Sequence, residues 1–183
     1  MTIAEEAALI GKVLSGDLRA YEQLMVAHQP KSLVIAKSMV KDPDDAKDVV
    51  QESFINAFRY LHKFDQKSMF STWLYRIVVN QSLKFLRKQD SAEKLAQDLS
   101  FPSSSSVQNL GIQSLEKDER QSEIEGILQQ MKPKEALMLQ MHYLLELSVK
   151  EIEQSTGFTA SNIKVLLHRA RQNFYAIKNT NDE

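Results

Sequence analysis

The chain has 183 residues, with 5 glycines, 4 prolines, no cysteine, 43% hydrophobic and 26% charged side chains. So few turn formers argue against an all-β sandwich or barrel, and the hydrophobic share argues against a disordered chain. The absence of cysteine excludes disulfide frameworks, thiolate nucleophiles and cysteine-based zinc sites. No apolar run approaches the ~20 residues of a transmembrane span. The opening MTIAEEAALIGKVLSG, which has two glutamates and no basic cluster, reads as an amphipathic helix rather than a signal peptide. The formal net charge of −1 hides unlike parts. Residues 1–88 hold 13 basic and 10 acidic side chains, 89–126 hold 3 and 8, and 127–183 hold 7 and 6. Two mildly basic modules therefore flank an acidic middle. Within that middle the uncharged, serine-rich stretch from Leu99 to Leu115, with Pro102 and Gly111, reads as a flexible linker. It divides the chain into an all-α module of 1–90, a linker of 91–118 and a second all-α module of 119–183.

In the first module Asp17 is a plausible N-cap for a run with Leu18, Tyr21, Leu24 and Met25 at helical spacing. After Gln29 and Pro30 a second helix is expected to reach about Val40. Asp42 and Pro43 then supply an N-cap and a first-turn proline, and Asp44 and Asp45 put negative charge where the helix dipole favours it. From there Ala46, Val49, Val50, Ser53, Phe54, Ala57, Phe58 and Leu61 form one buried stripe. The opposite face carries Asp45, Asp48, Gln51 and Glu52. After a break at Leu61–Met69, Ser71 can cap a helix that begins TWLYRIVVNQSLKFLRK, with Trp73, Leu74, Ile77, Val78, Gln81 and Phe85 facing inward. Arg76, Asn80, Lys84, Arg87 and Lys88 line its other side. Such a basic stripe around an amide, near Tyr75 and with Phe64 and Phe70 in the preceding loop, suits a nucleic-acid strand. It equally suits an ordinary exposed helix face.

DAKDVVQESF (Asp45–Phe54) followed by FSTWLYRIVVNQSLKFLRK (Phe70–Lys88) resembles region 2 of the sigma-70 family, in its short extracytoplasmic-function (ECF, group IV) class. The resemblance implies that Asp45, Asp48, Gln51 and Glu52 dock on the clamp helices of the β′ subunit of bacterial RNA polymerase. It also implies that the following loop and helix melt and read the −10 promoter element. Asn80 would then read a base, and the loop from Lys63 to Ser71, with Phe64 and Trp73, would hold a flipped base. Arg76, Lys84 and Arg87 would contact the backbone. The family usually has an acidic residue where Lys84 stands.

In the second module Leu115–Met131 has a helical pattern with an acidic start. Pro133 opens a helix through Tyr143, whose apolar bulk is Ala136, Leu137, Leu139, Met141 and Leu144. Ser148 and Glu151 form a capping box, and Gly157 permits a tight C-terminal cap. A last helix follows Thr159, with Ile163, Leu166, Leu167, Ala170, Phe174 and Ile177 on one side and Lys164, His168, Arg169 and Arg171 making a basic face. This is helix-turn-helix spacing. The string LSVKEIEQSTGFTASNIKVLLHRARQNF resembles region 4 of the same family. The resemblance implies that Thr159, Ala160, Ser161, Lys164 and His168 face the −35 element, with Arg169 and Arg171 near phosphates. Glu153, Val165 and Leu166 depart from the family pattern, which commonly has alanine, serine and arginine there.

No glycine-rich phosphate loop, metalloprotease histidine pair or nucleophile elbow occurs, and the four histidines are scattered. No metal, cofactor or catalytic residue is therefore expected, and any catalysis belongs to a partner. The resemblance implies a cytoplasmic bacterial transcription initiation factor whose partners are core RNA polymerase (β′ clamp helices and β flap), promoter DNA and an anti-sigma factor, with no membrane insertion. Two alternatives stay open: a stand-alone helix-turn-helix regulator, and a helical protein-interaction module with degenerate DNA recognition.

Overall fold

The computed structural model describes residues 2–98 and 119–181; of the linker expected over 91–118, residues 99–118 lie outside them, and 91–98 belong to a helix. Among the described residues the chain forms eight α-helices and no strand: α1 (Ile3–Leu14), α2 (Leu18–Met39), α3 (Pro43–Tyr60), α4 (Phe70–Asp98), α5 (Glu119–Gln130), α6 (Pro133–Leu139), α7 (Val149–Thr156) and α8 (Ala160–Asn181). Local chemistry sets most of the ends. Thr2 and Glu5 close a capping box on α1, Asp17 accepts from the Arg19 and Ala20 amides at the start of α2, and Asp42 accepts from Asp44 and Asp45 at the start of α3. Ser148 and Glu151 cap α7 reciprocally, and Gly157 ends it in the left-handed conformation at φ 75°, where a Cβ would be strained.

Three boundaries differ from the sequence expectation. Helix α2 is continuous through Pro30. Pro30 and Val26, whose carbonyl loses its bond, are both exposed, so water can take that bond and the interior proline is tolerated there. Helix α4 starts at Phe70, which puts Ser71 in its first turn instead of at the cap, and it continues to Asp98. Helix α6 ends at Leu139 and passes into a π turn over Gln140–Leu144, with the Leu145 amide donating to the Gln140 carbonyl. The extra residue in that turn rotates the apolar register. Leu144, expected inside, is 60% exposed, while Met138 and Leu145 are buried.

Helix α4 is the central strut, packed against α2, α3 and α7. Leu74 and Val78 are fully buried along it and Tyr75 and Val79 nearly so. The Ser82 hydroxyl folds back on the Val78 carbonyl, as Ser53 does on Val49 in α3, so both polar groups are satisfied inside the bundle. Phe58, expected in the α3 stripe, is 44% exposed; its ring rests 4.9 Å from that of Tyr21, whose hydroxyl donates to the Phe54 carbonyl.

At the foot of the bundle His28 Nε2 lies 3.0 Å from Glu6 Oε1, and both side chains are buried. Burial, then the charges of Lys31 and the amino terminus, pulls His28 down to about 4, and burial raises Glu6. Both shifts favour the uncharged forms, as burial of a carboxyl and an imidazole demands.

The second module stacks on the first, α7 on α4 and α6 on α2, and the Ser155 hydroxyl donates to the Thr72 carbonyl at 3.4 Å. One continuous apolar cluster runs through both modules, from Ile10 to Ala170. Leu74→Ala at its middle is expected to cost about 2–5 kcal/mol in urea unfolding. The shared core also predicts coincident transitions by far-ultraviolet circular dichroism and by fluorescence of Trp73, the chain's one tryptophan. A fluorescence transition that precedes the other would mean that the modules unfold separately.

Candidate nucleic-acid interface

The acidic face of α3 starts from its cap. Asp42, Asp44, Asp45 and Asp48 crowd the first turns, and among the described residues only Asp44 of the four has a cation within ion-pair distance, with Lys47 Nζ at 2.7 Å. That bond holds the Asp44 carboxyl below its ordinary value. Asp45 moves the other way, raised first by its partial burial and then by the charges of Asp42, Asp48 and Asp44. Asp48, Gln51 and Glu52 project into solvent and Asp45 is half-buried. Like charges gathered with a single lysine among them leave a surface that a basic partner would relieve.

On α4, Arg76, Asn80, Lys84, Arg87 and Lys88 are all exposed. At 3.6 residues per turn, Arg76, Asn80 and Arg87 fall within a sector of about 40°, whereas Lys84 and Lys88 are turned about 40° and 80° beyond Asn80, towards α3. The stripe expected from the sequence is thus two adjoining strips. Lys84 and Lys88 line a groove of about 450 Å³ between α3 and α4, together with Asp48, Gln51, Glu52, Ile55 and Phe85.

The loop before α4 is organised by aromatic rings. Phe64, Phe70 and Trp73 lie 5.3–5.8 Å apart, centroid to centroid, and His28 meets Phe70 edge-on at 5.3 Å. Phe70 and Tyr75, considered above as surfaces for bases, are each 2% exposed and serve the core. Phe64 and Trp73 are half-buried and keep an open edge. Asp65 accepts from the Lys67 amide at 3.2 Å, and Gln66 between them adopts φ 57°, a left-handed turn in an exposed stretch of the loop. Lys63 Nζ sits 5.2 Å from the Tyr60 ring centroid, and Ser71 is half-buried.

In the second module α7, Gly157 and α8 make a helix-turn-helix. Thr159 and Ser161 at its turn, and Lys164, His168 and Arg169 along α8, are exposed; Ala160 is half-buried. The Thr159 hydroxyl accepts from the Asn162 amide at 3.3 Å, so it is also the N-cap of α8. Two of the unusual residues acquire structural reasons. Glu153 Oε1 accepts from the Ala160 amide at 3.1 Å and so ties α7 to the first turn of α8. Leu166 packs against the core, while Val165 is 53% exposed and nothing in the structure explains it.

Arg171 is exposed but turned sideways, its guanidinium 5.7 Å from the Tyr143 ring centroid. It borders an apolar groove of about 440 Å³ with Ile124, Tyr143, Leu144, Phe174 and Tyr175. The sequence pattern missed this groove because the π turn, which carries no residue signature, is what turns Tyr143 and Leu144 outward.

Residues 24–92 match the family model of sigma-70 region 2 and residues 112–174 that of sigma-70 region 4. The chain is 30% identical over 148 residues to the ECF RNA polymerase sigma factor SigM of Bacillus subtilis, an alignment covering 80% of this chain and 88% of that one. The chain belongs to the ECF sigma factors of the sigma-70 family. It is also 36% identical over 105 residues to the RNA polymerase sigma-H factor of Pseudomonas aeruginosa, covering 55% of this chain and 54% of that protein. Among solved structures its fold resembles the sigma factor RpoE of Bartonella quintana in complex with the anti-sigma factor NepR, with TM-score 0.65, 20% identity and coverage of 84% and 93% of the two chains. Members of the family are transcription initiation factors, and among the described residues no group of three or more histidine or acidic side chains could hold a metal ion. Nor, among them, is any helix long and apolar enough to cross a membrane.

For this ECF sigma factor the Glu153 cap makes a two-sided prediction. Glu153→Ala is expected to cost about 1 kcal/mol of stability through the lost cap, measured by urea unfolding. By removing a carboxylate from the start of α8, it is also expected to tighten low-salt binding of a −35 duplex, measured by fluorescence anisotropy.

Proposed function

We propose that this protein binds core bacterial RNA polymerase in the cytoplasm and directs it to promoters defined by a −35 and a −10 element. It would carry no catalysis of its own, the polymerase supplying the chemistry. The observation that supports this most directly is the match of one chain to both sigma regions, with an exposed acidic face on α3 and exposed basic faces on α4 and α8.

In this reading Asp45, Asp48, Gln51 and Glu52 engage the β′ clamp helices. Asn80 reads a base of the opened non-template strand, flanked by Arg76 and Arg87 on the phosphates. Phe64 and Trp73, with Lys63 and Ser71, border the place of the unstacked base, because a half-buried ring offers one π face at little ordering cost. Thr159, Ala160, Ser161, Lys164 and His168 enter the −35 major groove, with Arg169 on the backbone. The apolar groove beside Arg171 fits a second polymerase contact, the β flap. An anti-sigma factor that covers these faces belongs to the proposal, and the Bartonella relative was solved with one.

The deciding experiment adds the purified protein to core polymerase and selects, from a random promoter library, templates that give defined transcripts. An enriched −35/−10 pair is expected, and its absence would refute the reading. Asn80→Ala should change the selected −10 sequence while core binding is kept; equal loss of both would make the helix merely structural. Reversing charge at Asp48 and Glu52 together should weaken the core complex at least tenfold, and an unchanged complex would remove the acidic face from the docking site.

A further inference from the structure

The groove between α3 and α4 has a charge order that the family resemblance does not describe. One lip is acidic, with Asp48 and Glu52 on successive turns of α3; the other is basic, with Lys84 and Lys88 on successive turns of α4; Ile55 and Phe85 lie between them. The four charged residues are exposed, and none of the ion pairs among the described residues joins the two lips. Ile55 is 46% exposed and Phe85 half-buried, so the floor is apolar and incompletely covered. The furrow between two packed helices accepts the side-chain ridge of a third. Opposite charges that face each other without pairing retain their hydration and can pair with a partner instead.

We propose that this groove seats one amphipathic helix of core RNA polymerase. Basic side chains on one flank of that helix would meet Asp48 and Glu52, and acidic side chains on its other flank would meet Lys84 and Lys88. The charge order selects the occupant: a nucleic-acid strand would satisfy the lysines but meet repulsion from the carboxylates across the groove. Lys84 is therefore a polymerase contact and not part of the −10 reading strip, which consists of Arg76, Asn80 and Arg87. Like-charge contacts penalise a reversed or shifted helix, so the lysines fix the register in which the acidic face docks. The proposal rests on the reading of the chain as a polymerase-binding factor.

The test measures binding of the 183-residue chain to core polymerase, together with the −10 sequence selected from the random library, for wild type, Lys84→Glu, the Lys84→Glu/Lys88→Glu double variant, Lys84→Gln and Lys84→Arg. The glutamate variants are expected to weaken core binding roughly tenfold or more, with a loss that shrinks as salt rises, and to leave the selected −10 sequence unchanged. Lys84→Gln should lose less, and Lys84→Arg should bind like wild type. Since the side chain is exposed, Lys84→Gln decides the matter should the glutamate variants fail to fold. Undiminished core binding in all the lysine variants overturns the proposal while leaving the polymerase reading intact, and a changed −10 preference alongside it would return Lys84 to the DNA. Failure of the wild type to bind core polymerase would instead overturn the reading itself.

Discussion

Helix α4 has to satisfy two kinds of demand with one sequence. Its inner residues pack against α2, α3 and α7, and its remaining surface must carry whatever the module presents to a partner. That leaves a narrow outward sector, with Gln81, Lys84 and Lys88 at its margin lying in the groove beside α3. The division of the basic stripe follows directly. Arg76, Asn80 and Arg87 occupy the middle of the free sector, while Lys84 and Lys88 fall where α3 comes alongside. The same crowding explains Tyr75, which looks available in a helical projection yet is buried. Burial raises its hydroxyl to about 12, as expected for a phenol held in the core.

How much of this was legible in the sequence depended on whether the deciding interaction was local. Caps are local, and Asp17, Asp42, Ser148 and Gly157 stand where their chemistry placed them. Apolar period is nearly local, and most of the α3 and α8 stripes are buried or half-buried. Pro30 misled because its penalty depends on whether water reaches the freed carbonyl, which is a matter of the helix's surroundings. The π turn at Gln140–Leu144 was invisible for a similar reason, since the packing on each side of the turn decides its register. The acidic and basic faces were found as sets of residues, but their mutual placement across one groove required the crossing of α3 and α4.

Two departures from the family pattern are compensated within the fold. Glu153 stands where the family commonly has alanine, and its carboxylate accepts from the Ala160 amide. Such a cap stabilises the junction of α7 and α8, yet it places negative charge beside the site proposed to meet phosphates. Leu166 stands where the family commonly has arginine, and its apolar side chain packs on the core. Both residues serve contacts within the helix-turn-helix and add no positive charge to it, and the net charge over residues 127–183 is only +1.

Weak intrinsic DNA affinity is tolerable when another macromolecule holds the reader in place, because the second contact is then made at a high effective concentration. For this arrangement to be specific, docking and reading must be geometrically coupled. Helices α3 and α4 pack directly on each other, so a partner helix seated between Asp48–Glu52 and Lys84–Lys88 would fix the orientation of α4, and with it the direction in which Asn80 points. A docking face on a remote helix would leave that direction to the flexibility of the intervening chain. The adjacency of the groove and the Asn80 strip is therefore the feature of this fold by which binding of the polymerase would become reading of a base.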